Sequence, residues 1–394
     1  MKRLAIFLSL LLIGVTPSVA APKSVVVKKL TLVAVNQGAE KLVISGKTLV
    51  TVGNTDGINS NIQLTGLDIN GVQLWQKTID SGADEVALAA ATDAAGNIWL
   101  AGASSPVAAS ESATAPIQAE NPDGVVVEPI SKIRSDMNLL TIWKISTAGD
   151  LIATYSSAHI APALINGISV NSTGVSVVGS SQGKPFIQSV SAQGTFGKLI
   201  SIGTSKSQLN AIVRHADGTI SVFGTSVETL GGKKLAGVRD GVLIKVSKTG
   251  AIASVVRSSA PKADRAWIAA DASLALTGYV KSGKVIESAF TKFTTAFAPT
   301  WTLRVPSLGT SIVLSAGATT YGAFASNSAV VGVIGWKPTA PSLLMLSFDG
   351  KGVVTGAYGS TEITEPIALA YSRDLGLVGL ARTANQSVSL FKLA

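Results

Sequence analysis

The chain has no cysteine in 394 residues and only two histidines, His159 and His215. The first absence excludes a disulfide framework, thiolate chemistry and a lipid attached at a cysteine. The second excludes a metal site built from three histidines. Charge and aromatics are scarce too: Asp, Glu, Lys and Arg make up 14% of residues, aromatics 5%, and the 23 acids are outnumbered by 32 Lys and Arg. Low charge with a positive mean hydropathy of +0.42 excludes a disordered chain. The basic residues are scattered and stacking aromatics are few, which argues against a nucleic-acid groove. A weak attraction to an anionic envelope surface, including peripheral contact with a membrane, fits better.

The chain opens MKRLAIFLSLLLIGVTPSVAAPKS (1–24), where Lys2 and Arg3 lead an apolar run that ends at Ala20 and Ala21. This reads as a secretory signal peptide over 1–21. A transmembrane anchor is the competing reading, but the run is short for a full span and breaks at Pro17. Loss of Lys2 and Arg3 takes the formal net charge from +9 to +7. No later stretch is long and apolar enough to anchor the chain. The expected location is outside the inner membrane: periplasmic, cell-surface or extracellular.

The 39 glycines fall into a repeat. Set beneath one another, the hairpins are GKTLVTVG (46–53), AGNIWLAG (95–102), TGVSVVGS (173–180), DGTISVFG (217–224), ASLALTGY (272–279), TTYGAFAS (319–326) and DLGLVGLA (374–381). A strand of small apolar residues precedes most of them, as in VALAAATD or LNAIVRH. A second hairpin follows several, as in LIKVSKTGAIASVV. The unit is four short strands, A to D, joined by tight glycine-bearing turns. Seven such units, with one wider step from 95 to 173, predict an all-β, seven-bladed β-propeller of four-stranded antiparallel blades. Two stacked sandwiches, the alternative, would not require the same hairpin seven times. The last unit runs out after strand C, in SVSLFKL. SVVVKKLTLVAV (24–35) is the β-like segment left over, so it is expected as the outer strand that latches the last blade shut. A single domain over 22–394 follows.

Segments such as DGVLIKVSKTGAIASVV and VALAAATDAAGNIWLAGAS resemble the propeller repeats of exported bacterial proteins, in which a Phe-Val-Lys-Leu strand pairs with an Asp-x-x-Gly hairpin. The likeness is good in units two and four, fair in one and three, and degraded in five to seven. It implies a fold and a compartment, and no chemistry.

A–B and C–D turns share one face of a propeller; B–C and D–A connections share the other. The first set is minimal here, whereas the B–C connections are long in units two, four and six, and length variation above a regular scaffold is how repeat proteins build binding surfaces. The insertion at 105–138 is acidic, with Glu111, Glu120, Asp123, Glu128 and Asp136 against Lys132 and Arg134. It reads either as a contact arm or as a tolerated surface insertion. The fourth-unit loop supplies Lys233, Lys234 and Arg239. With Lys262, Arg265, Lys281 and Lys284 these form a candidate basic patch for an anionic group, or else solvated charges. Trp336, in a B–C connection, is the candidate aromatic contact; the other five tryptophans fall in predicted strands and are expected to pack between blades.

Catalytic readings are weaker. GSSQG (179–183) matches a nucleophile-elbow string around Ser181, but no helix follows it. Ser259 with Lys262, and KTG at 248–250, match serine-hydrolase strings without their partners. His215 sits where a turn role is expected. Two acid groups, Asp80, Asp84 and Glu85, and Glu362 with Glu365, are candidates for the channel mouth, where a hydrolase or lyase of polysaccharide or peptide would need them; the first could also be a calcium loop. The leading expectation is a non-catalytic binding or scaffold protein with no cofactor or metal, and with a protein or an anionic envelope polymer as partner.

Overall fold

The computed structural model describes residues 24–35, 38–55, 59–106 and 133–393. The described residues form seven sheets arranged as a seven-bladed β-propeller. The blades span 41–79, 85–158, 164–201, 207–258, 264–306, 311–360 and 363–392. In each the strands run A-B-C-D outwards, and neighbouring A strands pack against one another around the central channel. Between blades lie the apolar clusters, such as Val178, Ile212, Val222 and Ile244 between blades 3 and 4. The five tryptophans predicted in strands pack as expected, four of them at 6% exposure or less.

The turn chemistry explains the repeat. Asp93 Oδ1 accepts the backbone N–H of Ala95 and Asn97, and Ser146 Oγ does the same for Ala148 and Asp150. This side-chain cap closes a four-residue turn whose last residue needs positive φ, met by Gly96 and Gly149. In the degraded units the geometry persists without glycine: Leu274, Phe297 and Gln386 hold φ of 62°, 61° and 65°. Leu274 and Phe297 are buried, and that burial offsets a left-handed cost of about 1–2 kcal/mol.

His215 replaces the aspartate in blade 4, and its Nε2 lies 2.7 Å from Ser221 Oγ. Burial holds its pKa below the ordinary histidine value. The folded state therefore resists a proton that the unfolded chain takes up below about pH 6.5. His215 contributes stability above that pH and loses it as pH falls through the lower folded value. Wild type is expected to lose more melting temperature between pH 7.5 and 5 than His215→Asn does; equal losses would remove His215 from the account.

The N-terminus departs from the expectation in one respect. Strand β2 (Thr31–Val35) pairs antiparallel with Val388–Lys392 and is the outer strand of the last blade, as anticipated. Strand β1 (Val25–Lys29) does not belong to that blade. It runs parallel to the outer strand of blade 6, with Val27 opposite Ala357 and Lys29 opposite Gly359. Its other edge is met by Val333–Ile334, from the B–C connection of blade 6. Leu30, 1% exposed, is the crossing point, and its N–H donates to Gly359 O at 3.0 Å. The alternation of VVVKK suits a strand with one covered face, but nothing in that pattern says which blade supplies the cover.

Candidate functional site

The two faces differ as expected. Among the described residues, the A–B and C–D side consists of short capped turns, while the B–C and D–A side carries connections fixed by buried polar groups. Asp84, 1% exposed, shows how. Its Oδ1 accepts the Ser60 N–H at 2.7 Å, its backbone pairs with Ser105, and its carboxylate forms an ion pair with Arg134. Ser105 and Arg134 flank the long insertion, so one buried aspartate pins both ends. Glu111, Glu120, Asp123 and Glu128 lie outside the described residues. Glu85 is also buried; it accepts the Ser81 N–H, and desolvation pushes its pKa up. These carboxylates are committed to loop structure, so the calcium-loop and channel-mouth roles considered for Asp84 and Glu85 do not match where they sit. Among the described residues no group of three or more His, Cys, Asp or Glu could hold a metal ion.

The fourth-unit loop has a similar anchor. Asp240, fully buried, accepts the N–H groups of Ala236 and Gly237, and pairs with Arg257 Nη1 at 2.9 Å. Arg257, on the outer strand, also donates to the carbonyls of Lys233 and Glu228. The loop thereby folds over the outer rim of blade 4. Lys233 and Lys234 are exposed there, beside Val255 and Val256. Arg239 instead faces Asp264, with Nε to Oδ1 at 3.5 Å. Arg265 is drawn inwards over the Trp267 ring, 4.5 Å from its centroid, and burial lowers its pKa to about 10. The basic residues are thus divided among separate environments. Arg257→Lys keeps the charge opposite Asp240 but cannot reach both carbonyls, so it should cost about 1–2 kcal/mol and make the 227–239 loop more sensitive to limited proteolysis. Unchanged cleavage would deny Arg257 this role.

Trp336 is 5% exposed and packs with Phe324, Val333 and Leu344. Its ring lies so close over Gly359 that a Cβ there would come within 2.4 Å of it. The expectation of an exposed contact residue is corrected: the B–C connection of blade 6 wraps the blade edge, and Trp336 clamps it where the N-terminal strand is held.

The channel was less legible in the sequence. In blades 2, 3, 4, 5 and 7 the A strand carries a β-bulge at the same place, which adds Leu88, Asn166, Asn210, Ile268 and Ile367 to the wall of one cavity of about 800 Å³. A bulge re-aims a side chain, and here the repeat turns five of them towards the axis. In blades 2, 3, 4 and 5 the glycine of the repeat stands opposite the bulge, whereas in blade 7 that place is taken by Ala381. A Cβ on Gly102, Gly179, Gly224 or Gly278 would come within 1.8 to 2.2 Å of an A-strand carbonyl oxygen. Asn166 Nδ2 donates to Leu209 O at 2.7 Å and Asn210 Nδ2 to Trp267 O at 2.8 Å, which ties each bulge to the next blade.

Charge in this cavity is concentrated at the closure. Glu40, Lys41, Glu365 and Arg382 line it. Glu365 accepts the Thr310 hydroxyl at 2.9 Å and stands 3.9 Å from Arg382 Nε. Burial, aided by Arg382 and opposed by Glu40, lowers the Lys41 pKa. Of the two acid groups considered for the channel mouth, only Glu365 reaches this cavity; Glu362 pairs with Lys29 at 2.8 Å. Ser181 leads into a two-residue hairpin and donates to Ala161 O, so the nucleophile-elbow string has no elbow. No helix of the described residues is long and apolar enough to cross a membrane.

A comparison with protein-family models gives no match, and neither does one with curated proteins. Solved structures do match. The β-propeller domain of Myceliophteria thermophila Cps50 (Swd1) aligns at a TM-score of 0.53 and 8% identity, over 93% of this chain and 100% of that one. The WD40 domain of Toxoplasma gondii coronin aligns at 0.51 and 11%, over 94% and 87%. The chain shares their fold. At such identity the likeness carries no specific bacterial repeat family, ligand or chemistry with it.

Proposed function

We propose that this protein is an exported, non-catalytic binding or scaffold module of the cell envelope, which engages a protein or an anionic envelope polymer through its B–C face. The observation that carries the reading is the asymmetry of the two faces: the turns of one are minimal, while the connections of the other are long and held by buried anchors such as Asp84 and Asp240. A surface fixed in this way loses little conformational entropy on binding. The propeller fold suits protein interaction, and the signal-like N-terminus supports export.

The test is a pull-down from the host envelope fraction by residues 22–394, beside a variant in which 107–132 is replaced by a short Gly-Ser link. Asp84, Ser105 and Arg134 remain in that variant, so the ring should stay folded, which a melt checks. A partner retained by the first and lost by the second makes the insertion the contact arm. A partner retained by both moves the contact to the blade 4 or blade 6 connections. Capture of nothing specific by either sinks the binding reading.

A further inference from the structure

The groove between blades 3 and 4 lies on the opposite face, among the short turns, and has a cause in the sheet. The outer strand of blade 3 is irregular: Val190 faces Phe196 and Ile187 faces Ile200, so three steps along strand C meet four along strand D. The extra residue is a bulge at Lys198 and Leu199. The buried side chain of Gln188 fills the break by donating to Gly197 O at 3.3 Å. Only Ile200–Ser201 remains as regular strand, against seven residues in Ile252–Ser258 of the neighbouring blade. The missing strand leaves a groove of about 600 Å³.

Its lining includes three cations, Lys198, Arg214 and Lys248, and no carboxylate. Arg214 is held rigidly. Its Nη1 donates to Ser176 Oγ at 2.8 Å, its Nη2 to Thr173 Oγ1 at 2.9 Å, and its Nε to Asn171 Oδ1 at 3.2 Å. Every one of these acceptors is neutral, and of the five guanidinium hydrogens one on each terminal nitrogen is left over. No ion pair of the described residues involves Arg214, Lys198 or Lys248. The carboxylate at the adjoining turn, Asp217, accepts the N–H and hydroxyl of Thr219 and also interacts electrostatically with Lys248, without forming an ion pair with it. The hydroxyls of Ser201, Ser247 and Thr249 are further polar groups in the lining.

We propose that this groove binds a tetrahedral oxyanion, a phosphate or sulfate group borne on a larger ligand. A preorganised guanidinium, two exposed lysines and the Ser201 hydroxyl line one groove, while the Ser247 and Thr249 hydroxyls bond each other; three cationic groups together suit an anion with three or more acceptor oxygens better than a planar carboxylate. Partial burial of Arg214 strengthens each contact relative to open water.

The experiment is calorimetric titration of residues 22–394 at low ionic strength with inorganic pyrophosphate, a sulfated monosaccharide and citrate, the last as a carboxylate control. Saturable binding of pyrophosphate or the sulfated sugar is expected, and whichever binds more tightly names the source of the oxyanion. Lys198→Gln/Lys248→Gln, which alters only exposed side chains, should weaken it about tenfold or more. Lys47→Gln/Lys351→Gln, at exposed positions in turns of blades 1 and 6, should leave it unchanged. Absence of saturable binding, equal loss in the two double variants, or citrate binding as tightly as the oxyanions would overturn the proposal.

Discussion

Deletion of residues 24–35 is expected to lower the melting temperature by about 10 °C or more, since it removes two outer strands at once. Among the described residues the segment supplies the only partner for the open edge of Val388–Lys392 and, through β1, a cover for the edge of blade 6. Loss of Leu30 from its cluster with Leu343, Met345 and Phe391 alone costs on the order of 2 kcal/mol of apolar burial. The ladder hydrogen bonds add a net contribution of roughly 0.5–1.5 kcal/mol each, less the entropy of ordering the segment. Leu30→Ala isolates the crossing point and should cost about 2–4 kcal/mol, while Val26→Ala, at a side chain 64% exposed, should stay within about 0.5 kcal/mol. A deletion variant that melts with wild type would show that the ring closes without its latch.

Gly224→Ala is expected to destabilise by roughly 3 kcal/mol or more, because the new methyl would stand 2.0 Å from Gln208 O, a backbone atom that cannot step aside. Relief requires the A-strand bulge at Asn210 to shift, which also breaks its tie to Trp267 O. Gly102→Ala, with Val86 O at 1.8 Å, should behave alike. Gly350→Ala is the control: its Cβ meets nothing within 4 Å and its φ is ordinary, so a change within about 0.5 kcal/mol is expected. Chemical denaturation of the three variants settles the matter. Equal small effects would mean that the glycine of the repeat is a turn relic with no bearing on the channel.

That glycine shows how far the sequence could be read. Its recurrence at 53, 102, 179, 224 and 278 is visible as a hairpin signature, and hairpin glycines suggest turns. Its steric role faces a strand that precedes it in the chain, and a bulge has no composition of its own. Blade 6 supplies the contrast: Phe324 occupies the equivalent place, and the paired strand Ser311–Ala316 runs without a bulge. The loop anchors were hidden for a related reason. Nothing in the residues around Asp240 and Arg257 singles them out, and only their common burial makes them the support of the 228–239 segment.

The fold class, the number of blades, the tight glycine-bearing turns and the face on which the long connections lie were legible in the residue pattern. These follow from local causes: period-two alternation, side chains that cap their own turn, and seven recurrences of one unit. The tertiary structure alone decided where β1 goes, that Trp336 is a buried clamp, that Arg239 and Arg265 leave the basic patch, and that an irregular outer strand opens a groove between blades 3 and 4. Each of those depends on which surface another part of the chain brings to the residue. Burial and pairing across dozens of residues are set by packing of the whole ring, and no local pattern encodes them.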